Sequence, residues 1–317
     1  MPDSTNWKTE YLVPAMESGE TGRLLRCVLT PNTTLLFSEI HSAKMPNFHL
    51  IESVYSTPGE VVTINYCFRG RAEVKLETGD CAYLSNEEIA VDAGFAKIEP
   101  DDFFFPVADY CGLAILIRIQ DEPKQGFQLA GKPVVLPETL RDKVRGFGKP
   151  CLSQTGEETR LCFETMRSDI LNDRPREFLM LALMRTLIHI TNKFPGTEPR
   201  RKYFSKSQVQ IAKEVRELLT NDPGKRYSAA ELAKRYGVSE TSLKNYFRGV
   251  YGCGYGEFQN EMRMERAAEL LRGDRQKVSA VGAQSGFSNQ SAFARAFREY
   301  YGVTPVEYRR QQHFPKK

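Results

Sequence analysis

No stretch of this chain approaches the ~18 consecutive apolar residues that crossing a bilayer requires. The nearest, Phe178 to Ile190, is shorter and is interrupted by Arg185. The opening residues, Met1 to Glu10, have neither the basic stretch nor the apolar core of a secretory signal. The expectation is a cytoplasmic protein with no membrane segment. Cysteine occurs seven times, at 27, 67, 81, 111, 151, 162 and 253, an odd number with no CxxC pair. A disulfide scaffold is not expected, and the thiols should stay reduced. Histidine is scarcer still. His41, His49, His189 and His313 include no HxH pair, so the convergent ligands of a metal-dependent enzyme are missing. Neither a cofactor nor enzymatic activity is expected.

What is present is the composition of a soluble globular protein. Apolar residues make up 41% and charged residues 26% of 317 positions, and that length favours two domains. The net charge of +4 conceals an asymmetry. From Arg200 onward there are 23 Lys or Arg against 12 Asp or Glu, a net of +11, which leaves −7 for residues 1 to 199. A basic C-terminal third joined to an acidic remainder points to a polyanionic partner for that third.

The breaker-rich stretch Pro195 to Lys202 lies where the charge changes sign and reads as a linker. Domain limits follow at 1–194, a linker over 195–206, and 207–312. Before the linker, residues ~20 to 120 are β-rich. Val62, Ile64, Tyr66 and Phe68 alternate with Thr63, Asn65, Cys67 and Arg69, as in a half-buried strand. Arg69-Gly70-Arg71 reads as a turn, after which Ala72, Val74 and Leu76 alternate again, making a hairpin. Strand-like segments recur around Ala82 to Leu84 and Leu113 to Ile119, and many short strands argue for a barrel or sandwich. Leu140, Val144 and Phe147 then mark a helix after Pro137, and Pro175 opens a second helix that is apolar almost all round. Such a helix is buried against the barrel or against a second subunit, so a homodimer is expected.

The C-terminal third contains one unit twice. Val209, Ala212, Val215, Leu218 and Leu219 form an apolar stripe that ends at Asn221 to Gly224. Ser228 and Glu231 have the spacing of a capping box, and that short helix stops near Tyr236. Gly237-Val238 is a tight turn, and Ser239 caps a second helix bearing Leu243, Phe247 and Tyr251 on one face. Two short helices joined by a glycine-containing turn are a helix-turn-helix candidate. Fifty residues later Leu243, Phe247, Arg248, Tyr251 and Gly252 fall on Phe293, Phe297, Arg298, Tyr301 and Gly302, and Glu257-Phe258 falls on Glu307-Tyr308. Ahead of the turn the offset is 49, which puts Gly237 on Gly286. The second unit is expected to be capped by Ser279, to turn at Gly286-Phe287-Ser288 and to run its second helix from about Asn289. Gly256 to Arg272 reads as a helix of about 25 Å between the units. That length suits two successive major grooves on one face of a duplex, ~34 Å apart.

In each second helix the apolar face is committed to packing, so any reading of DNA is expected from the opposite face. Thr241, Lys244, Asn245 and Arg248 form that stripe in the first unit, and Gln290, Ser291 and Arg295 in the second. Arginine pairs bidentately with guanine, and Asn or Gln with adenine, so Arg295, Gln290 and Asn245 are the candidates for specificity. Ser239, Ser288, Arg248 and Arg298 are placed for phosphate.

The segments SAAELAKRYGVSETSLKNYFRGVYG, RMERAAELLRG and VSAVGAQSGFSNQSAFARAFREYYGVTPVEYRR resemble the DNA-binding domain of AraC/XylS-family transcription regulators, over about residues 207 to 310. The resemblance implies seven helices in two helix-turn-helix subdomains bridged by a long helix. It also implies base reading at Thr241, Lys244, Asn245, Gln290, Ser291 and Arg295. By the same resemblance the N-terminal part is a cupin-like β-barrel followed by helices, giving an α+β chain whose barrel binds a small-molecule effector and whose helices dimerise. It further implies a sequence-specific regulator, more often an activator, for which RNA polymerase is a further partner. The aromatic set Phe48, Tyr55, Tyr66, Phe68, Phe103 to Phe105 and Tyr110 either lines a pocket or fills a core. Tyr66, Phe68, Phe104 and Tyr110 are the effector-pocket candidates. An alternative use of the barrel is a metal or redox sensor built on Cys67, Cys81 and Cys111, or a cupin enzyme.

Overall fold

The computed structural model describes residues 7–13, 21–45, 60–76, 78–95, 103–119, 127–129, 132–135, 137–145, 151–193, 203–273 and 276–313. The chain divides into two units, Met1–Tyr203 and Phe204–Lys317.

The first unit is built on strands β1 (Lys8–Val13), β2 (Thr21–Thr30), β3 (Thr33–His41), β4 (Glu60–Lys75), β5 (Cys81–Ser85), β6 (Glu88–Phe95), β7 (Tyr110–Arg118), a small pair β8 (Phe127–Leu129) and β9 (Lys132–Val135), and β10 (Cys151–Gln154). The main sheet has the order β1-β2-β3-β7-β4-β6-β10, with β5 paired to the far half of β4. Every pairing is antiparallel. The expected closed barrel is not what the described strands form. Among them β1 and β10 remain the two edges of an open sheet.

The expected turn at Arg69-Gly70-Arg71 is instead a bulge inside β4, which runs unbroken for 16 residues. Gly70 has φ +87°, and a Cβ there would sit 1.8 Å from the Asp109 carbonyl oxygen. Arg69 grips the same neighbour, donating from Nε and Nη2 to the two Asp109 carboxylate oxygens at 2.7 and 3.1 Å. The bulge re-aims β4, so its first half pairs with β6 and β7 while its second half leaves the main sheet to pair with β5.

Alternation along the strands gives the sheet two apolar faces. On one, Val62, Ile64, Tyr66, Phe37 and Leu113 pack against helices α1 (Pro137–Arg145), α2 (Glu157–Leu171) and α3 (Arg176–Lys193). Leu140 and Val144 enter this core from α1, whereas Phe147 lies outside the described residues. On the other face Leu24, Leu36, Leu84, Phe105 and Leu116 form a second core. Helix α3 is less uniformly buried than its composition suggests: Leu179, Leu183 and Leu187 face the sheet, while Phe178 and Leu181 are exposed.

The second unit is all helical: α4 (Lys206–Asn221), α5 (Ala229–Tyr236), α6 (Glu240–Tyr251), α7 (Tyr255–Gly273), α8 (Val278–Gln284), α9 (Gln290–Tyr301) and α10 (Pro305–His313). Helix α4 starts three residues before Val209 because Ser205 and Gln208 form a full capping box. At α5 only half of the expected box is made. Ser228 accepts from the Glu231 N–H at 3.1 Å, but the Glu231 carboxylate turns toward Lys225. Helix α8 is capped at Lys277 rather than Ser279 and has no side-chain cap. Its Val278 and Val281 both pack toward the core around Phe293, so the helix opens early enough to bring both in. No helix among the described residues is long and apolar enough to cross a membrane.

Candidate nucleic-acid interface

The phenylalanines that recur at an offset of fifty are what hold each second helix in place. Phe247 and Phe293 and Phe297 are fully buried, with Leu243 almost so. Phe247 packs on Tyr251 and Phe258, and Phe297 on Phe293, Tyr301 and Tyr308. With one side of α6 and α9 committed inward, the other side is forced out. Thr241, Lys244, Asn245 and Arg248 are exposed on α6, and Gln290, Ser291, Arg295 and Arg298 on α9.

The two helices begin alike. Ser239 accepts from the Ser242 N–H at 3.0 Å, and Asn289 accepts from the Ala292 N–H at 2.7 Å. Ser239 also donates to the Ser242 hydroxyl at 2.9 Å. It therefore works first as a cap, and Asn289 rather than Ser288 is its counterpart. Ser288 is exposed just ahead of α9.

The duplicated Glu257 and Glu307 also have a shared task. Glu257 accepts from the Gly254 N–H at 3.3 Å, and Glu307 from the Thr304 N–H at 2.9 Å, so each caps the helix that follows α6 or α9. The bond from the Thr304 N–H, with one from the Thr304 hydroxyl, holds the Glu307 carboxyl below its ordinary range. Sequence spacing showed the repeat, but only the geometry shows what these glutamates hold.

Among the described residues no hydrogen bond or ion pair engages the side chains of Asn245, Gln290 or Arg295. Lys244 differs, with Nζ 3.4 Å from Glu240 one turn earlier. That pair is exposed and worth only a few tenths of a kcal/mol. Helix α7, 19 residues long, spans about 28 Å between the two helix-turn-helix repeats of the second unit.

The first unit holds a separate cavity of about 90 Å³ on the face away from its helices. Leu24, Leu36, Val74, Phe103 and Phe105 give it apolar walls, and Ser38, Asn65, Glu73 and Tyr110 its polar atoms. Of the four pocket candidates only Tyr110 lines it. Tyr66 lies on the opposite face of β4, stacked on Phe163 of α2 at 4.3 Å, with Phe68 edge-on to it at 4.8 Å. Burial there pushes the Tyr66 hydroxyl up to about 12. Phe104 bridges to Lys44 while its neighbours Phe103 and Phe105 face the cavity, the ordinary alternation of extended chain. Phe48 and Tyr55 lie outside the described residues. Glu73 is the polar wall that sequence reasoning missed. It is buried and accepts from the Tyr83 hydroxyl at 2.8 Å, but its place in a strand otherwise reads as the solvent side of an alternation.

Cys67 on β4 and Cys111 on β7 are neighbours across paired strands, but their side chains enter different cores. Cys111 belongs to the helix-covered core and Cys67 to the opposite one. Burial pushes the thiols of Cys27 and Cys67 up to about 12 and that of Cys111 to about 11. No group of three or more His, Cys, Asp or Glu among the described residues is placed to hold a metal ion. His41 lies 3.1 Å from Asp109 and His189 contacts Thr159 at 2.9 Å.

Residues 232–311 match a family described as a helix-turn-helix domain. An uncharacterised transcriptional regulator of the helix-turn-helix type, YijO of Escherichia coli, is 32% identical over 114 residues, covering 34% of this chain and 40% of its own. A putative AraC-like transcription regulator of Streptomyces lividans is 30% identical over 97 residues, 31% of this chain and 32% of its own. The transcriptional activator CfaD of Escherichia coli is 25% identical over 128 residues, 40% of this chain and 48% of its own. The chain thus spans between a third and a half of the length of these relatives.

Proposed function

We propose that this protein is a sequence-specific, DNA-binding transcription regulator of the AraC type, a reading supported by the helix-turn-helix match over residues 232–311 and by the similarity of this part to a putative AraC-like regulator. The observation that carries the reading is the pairing of two buried phenylalanine faces with two exposed polar stripes, on α6 and α9. Each helix enters a major groove, the two grooves lying one turn apart on one face of the duplex. Arg295, Gln290 and Asn245 supply the discriminating contacts, with Thr241, Lys244 and Ser291 beside them. Arg248 and Arg298 neutralise phosphates. Ser239 and Ser288 mark the helix starts, where backbone N–H groups also face phosphate.

In this reading the first unit controls the second. The cavity walled by Leu24, Phe105 and Tyr110 takes a small effector, and the exposed Leu161, Phe178 and Leu181 of the α2–α3 hairpin meet a second copy in a homodimer. The protein works in the cytoplasm. CfaD is named an activator, which favours activation, and with it contact to RNA polymerase, over repression.

The test is selection of bound sequences from random duplex DNA with the full-length chain, repeated across salt concentrations. Two enriched blocks about one helical turn apart are expected, with affinity falling steeply as salt rises. Weak binding that is salt-sensitive but enriches no sequence would overturn specific reading.

A further inference from the structure

The two reading helices touch different parts of α7, Phe247 meeting Phe258 and Phe297 packing with Met264 to Leu271, yet one face of α7 holds both helix-turn-helix units of this C-terminal part. Gln259 is buried on that helix. With its amide turned to satisfy both atoms, it accepts from the Tyr227 N–H at 2.9 Å and donates to the Tyr227 carbonyl at 3.2 Å. Tyr227 immediately precedes Ser228, the cap of α5, so Gln259 grips the entrance to the first unit. Four residues later on the same face, Arg263 donates from Nε to the Ser285 carbonyl at 2.9 Å and from Nη2 to the Gly286 carbonyl at 2.6 Å. Its guanidinium also lies over the Phe287 ring, 3.8 Å from the centroid. Ser285, Gly286 and Phe287 are the turn that leads into α9. One turn of α7 therefore fastens the first unit with one side chain and the second unit with the other.

The turns themselves meet beneath this clasp. Gly286 has φ +80°, and a Cβ on it would lie 2.5 Å from the Gly224 carbonyl oxygen and 3.2 Å from Arg263 Nε. A Cβ on Gly224 would lie 2.6 Å from the Gln284 carbonyl oxygen. The loop between α4 and α5 thus abuts the turn of the second unit backbone to backbone. Burial disfavours the charge on Arg263, and Arg226 disfavours it further. The guanidinium is kept there by carbonyls and an aromatic face rather than by a carboxylate. An arginine held this way suits a joint, because its planar fork fixes an angle as well as a distance.

We infer that Gln259 and Arg263 form a clasp that sets the spacing and rotation of the two reading helices, so that the two DNA blocks are recognised only at one separation. This rests on the DNA-reading proposal above. Arg263 is a positioning residue in this scheme, since it acts through the turn before α9. Inserting one base pair between two blocks moves the second by about 3.4 Å along the duplex and about 35° around it. A rigid pair of helices loses contacts in one block; a loosely joined pair follows the displacement.

The experiment uses the full-length chain and duplexes carrying the two selected blocks at their natural separation, with one base pair inserted, with one removed, and with the second block scrambled. For the unaltered protein each change of separation should weaken binding by about tenfold or more, the loss of one or two base contacts. Arg263→Ala should bind the natural site less tightly. Its penalty for a changed separation should fall below about threefold, with affinity for the scrambled-second-block duplex kept within about twofold. A protein merely destabilised would weaken on all four duplexes alike. Gln259→Met, which breaks the clasp from the other end without touching Arg263, should flatten the same dependence and serves if Arg263→Ala does not fold. A folded variant that keeps the full penalty overturns the inference. If the unaltered protein selects no second block at all, two-groove reading fails first, and the clasp falls with it before any variant is made.

Discussion

Arg295→Ala separates base reading from general attraction more cleanly than any other single change. Arg295 is exposed on α9, and among the described residues it makes no hydrogen bond or ion pair that its removal would orphan. Its loss should therefore leave folding within about 0.5 kcal/mol, the usual range for a surface substitution. If the guanidinium is bidentate to guanine, its removal costs about 1–3 kcal/mol at that base pair, or about 5- to 150-fold. The cost is specific to the cognate base. A duplex already mutated at that position should bind the variant and the unaltered protein nearly alike. The assay is a titration of labelled duplexes carrying each of the four base pairs at every position of the second block, at one fixed salt concentration. Arg298→Ala is the internal comparison: as a phosphate contact it should weaken all duplexes evenly and shallow the salt dependence by about 0.9 in log–log slope. Should Arg295→Ala weaken every duplex by the same factor, the guanidinium touches the backbone and its assignment to a base is wrong.

Other expectations follow from packing and charge. Phe297→Ala empties a fully buried site among three aromatic rings; it should cost about 3–5 kcal/mol in denaturant unfolding and abolish selection of the second block before the first. A loss under 1 kcal/mol would show that the ring is not a keystone of that core. Glu307 has its carboxyl held low by the Thr304 hydrogen bonds, so it stabilises the fold above about pH 4.5 and the contribution disappears as pH falls through its lowered value. Glu307→Gln should reduce the acid sensitivity of the melting temperature in that range, and an unchanged acid profile would count against the cap. The buried thiols with raised values, Cys27, Cys67 and Cys111, should resist a thiol reagent at pH 8 in the folded protein, with Cys253, the one half-exposed cysteine, reacting first. Rapid labelling of Cys67 would revive a sensing role for it.

The C-terminal unit was legible from the chain because its signals are local and doubled. Glycines at 237 and 286 need positive φ, the small caps sit three residues ahead of their N–H partners, and the apolar spacing of α6 recurs in α9. None of that depends on contacts distant in sequence, so the helices, their turn and the outward stripe followed from periodicity alone. Ser279 failed as a cap because the pull of Val278 and Val281 into the Phe293 core outweighs a hydroxyl's preference for the helix start. In the N-terminal unit period-two alternation marks strands but not their partners. Gly70 reads equally as a turn or a bulge, and only the approach of Asp109, forty residues on from Arg69, decides for the bulge. That one choice separates the two faces of β4. Tyr66 lies before the bulge, against the helices, and Glu73 after it, at the cavity with Tyr110, while the described sheet is open at β1 and β10. The chain by itself determined which side chains face outward on α6 and α9, because a helix carries its own periodicity. The cavity walls, the sheet's edges and the clasp at Arg263 were decided only by tertiary structure, because each joins backbone that sequence proximity does not bring together.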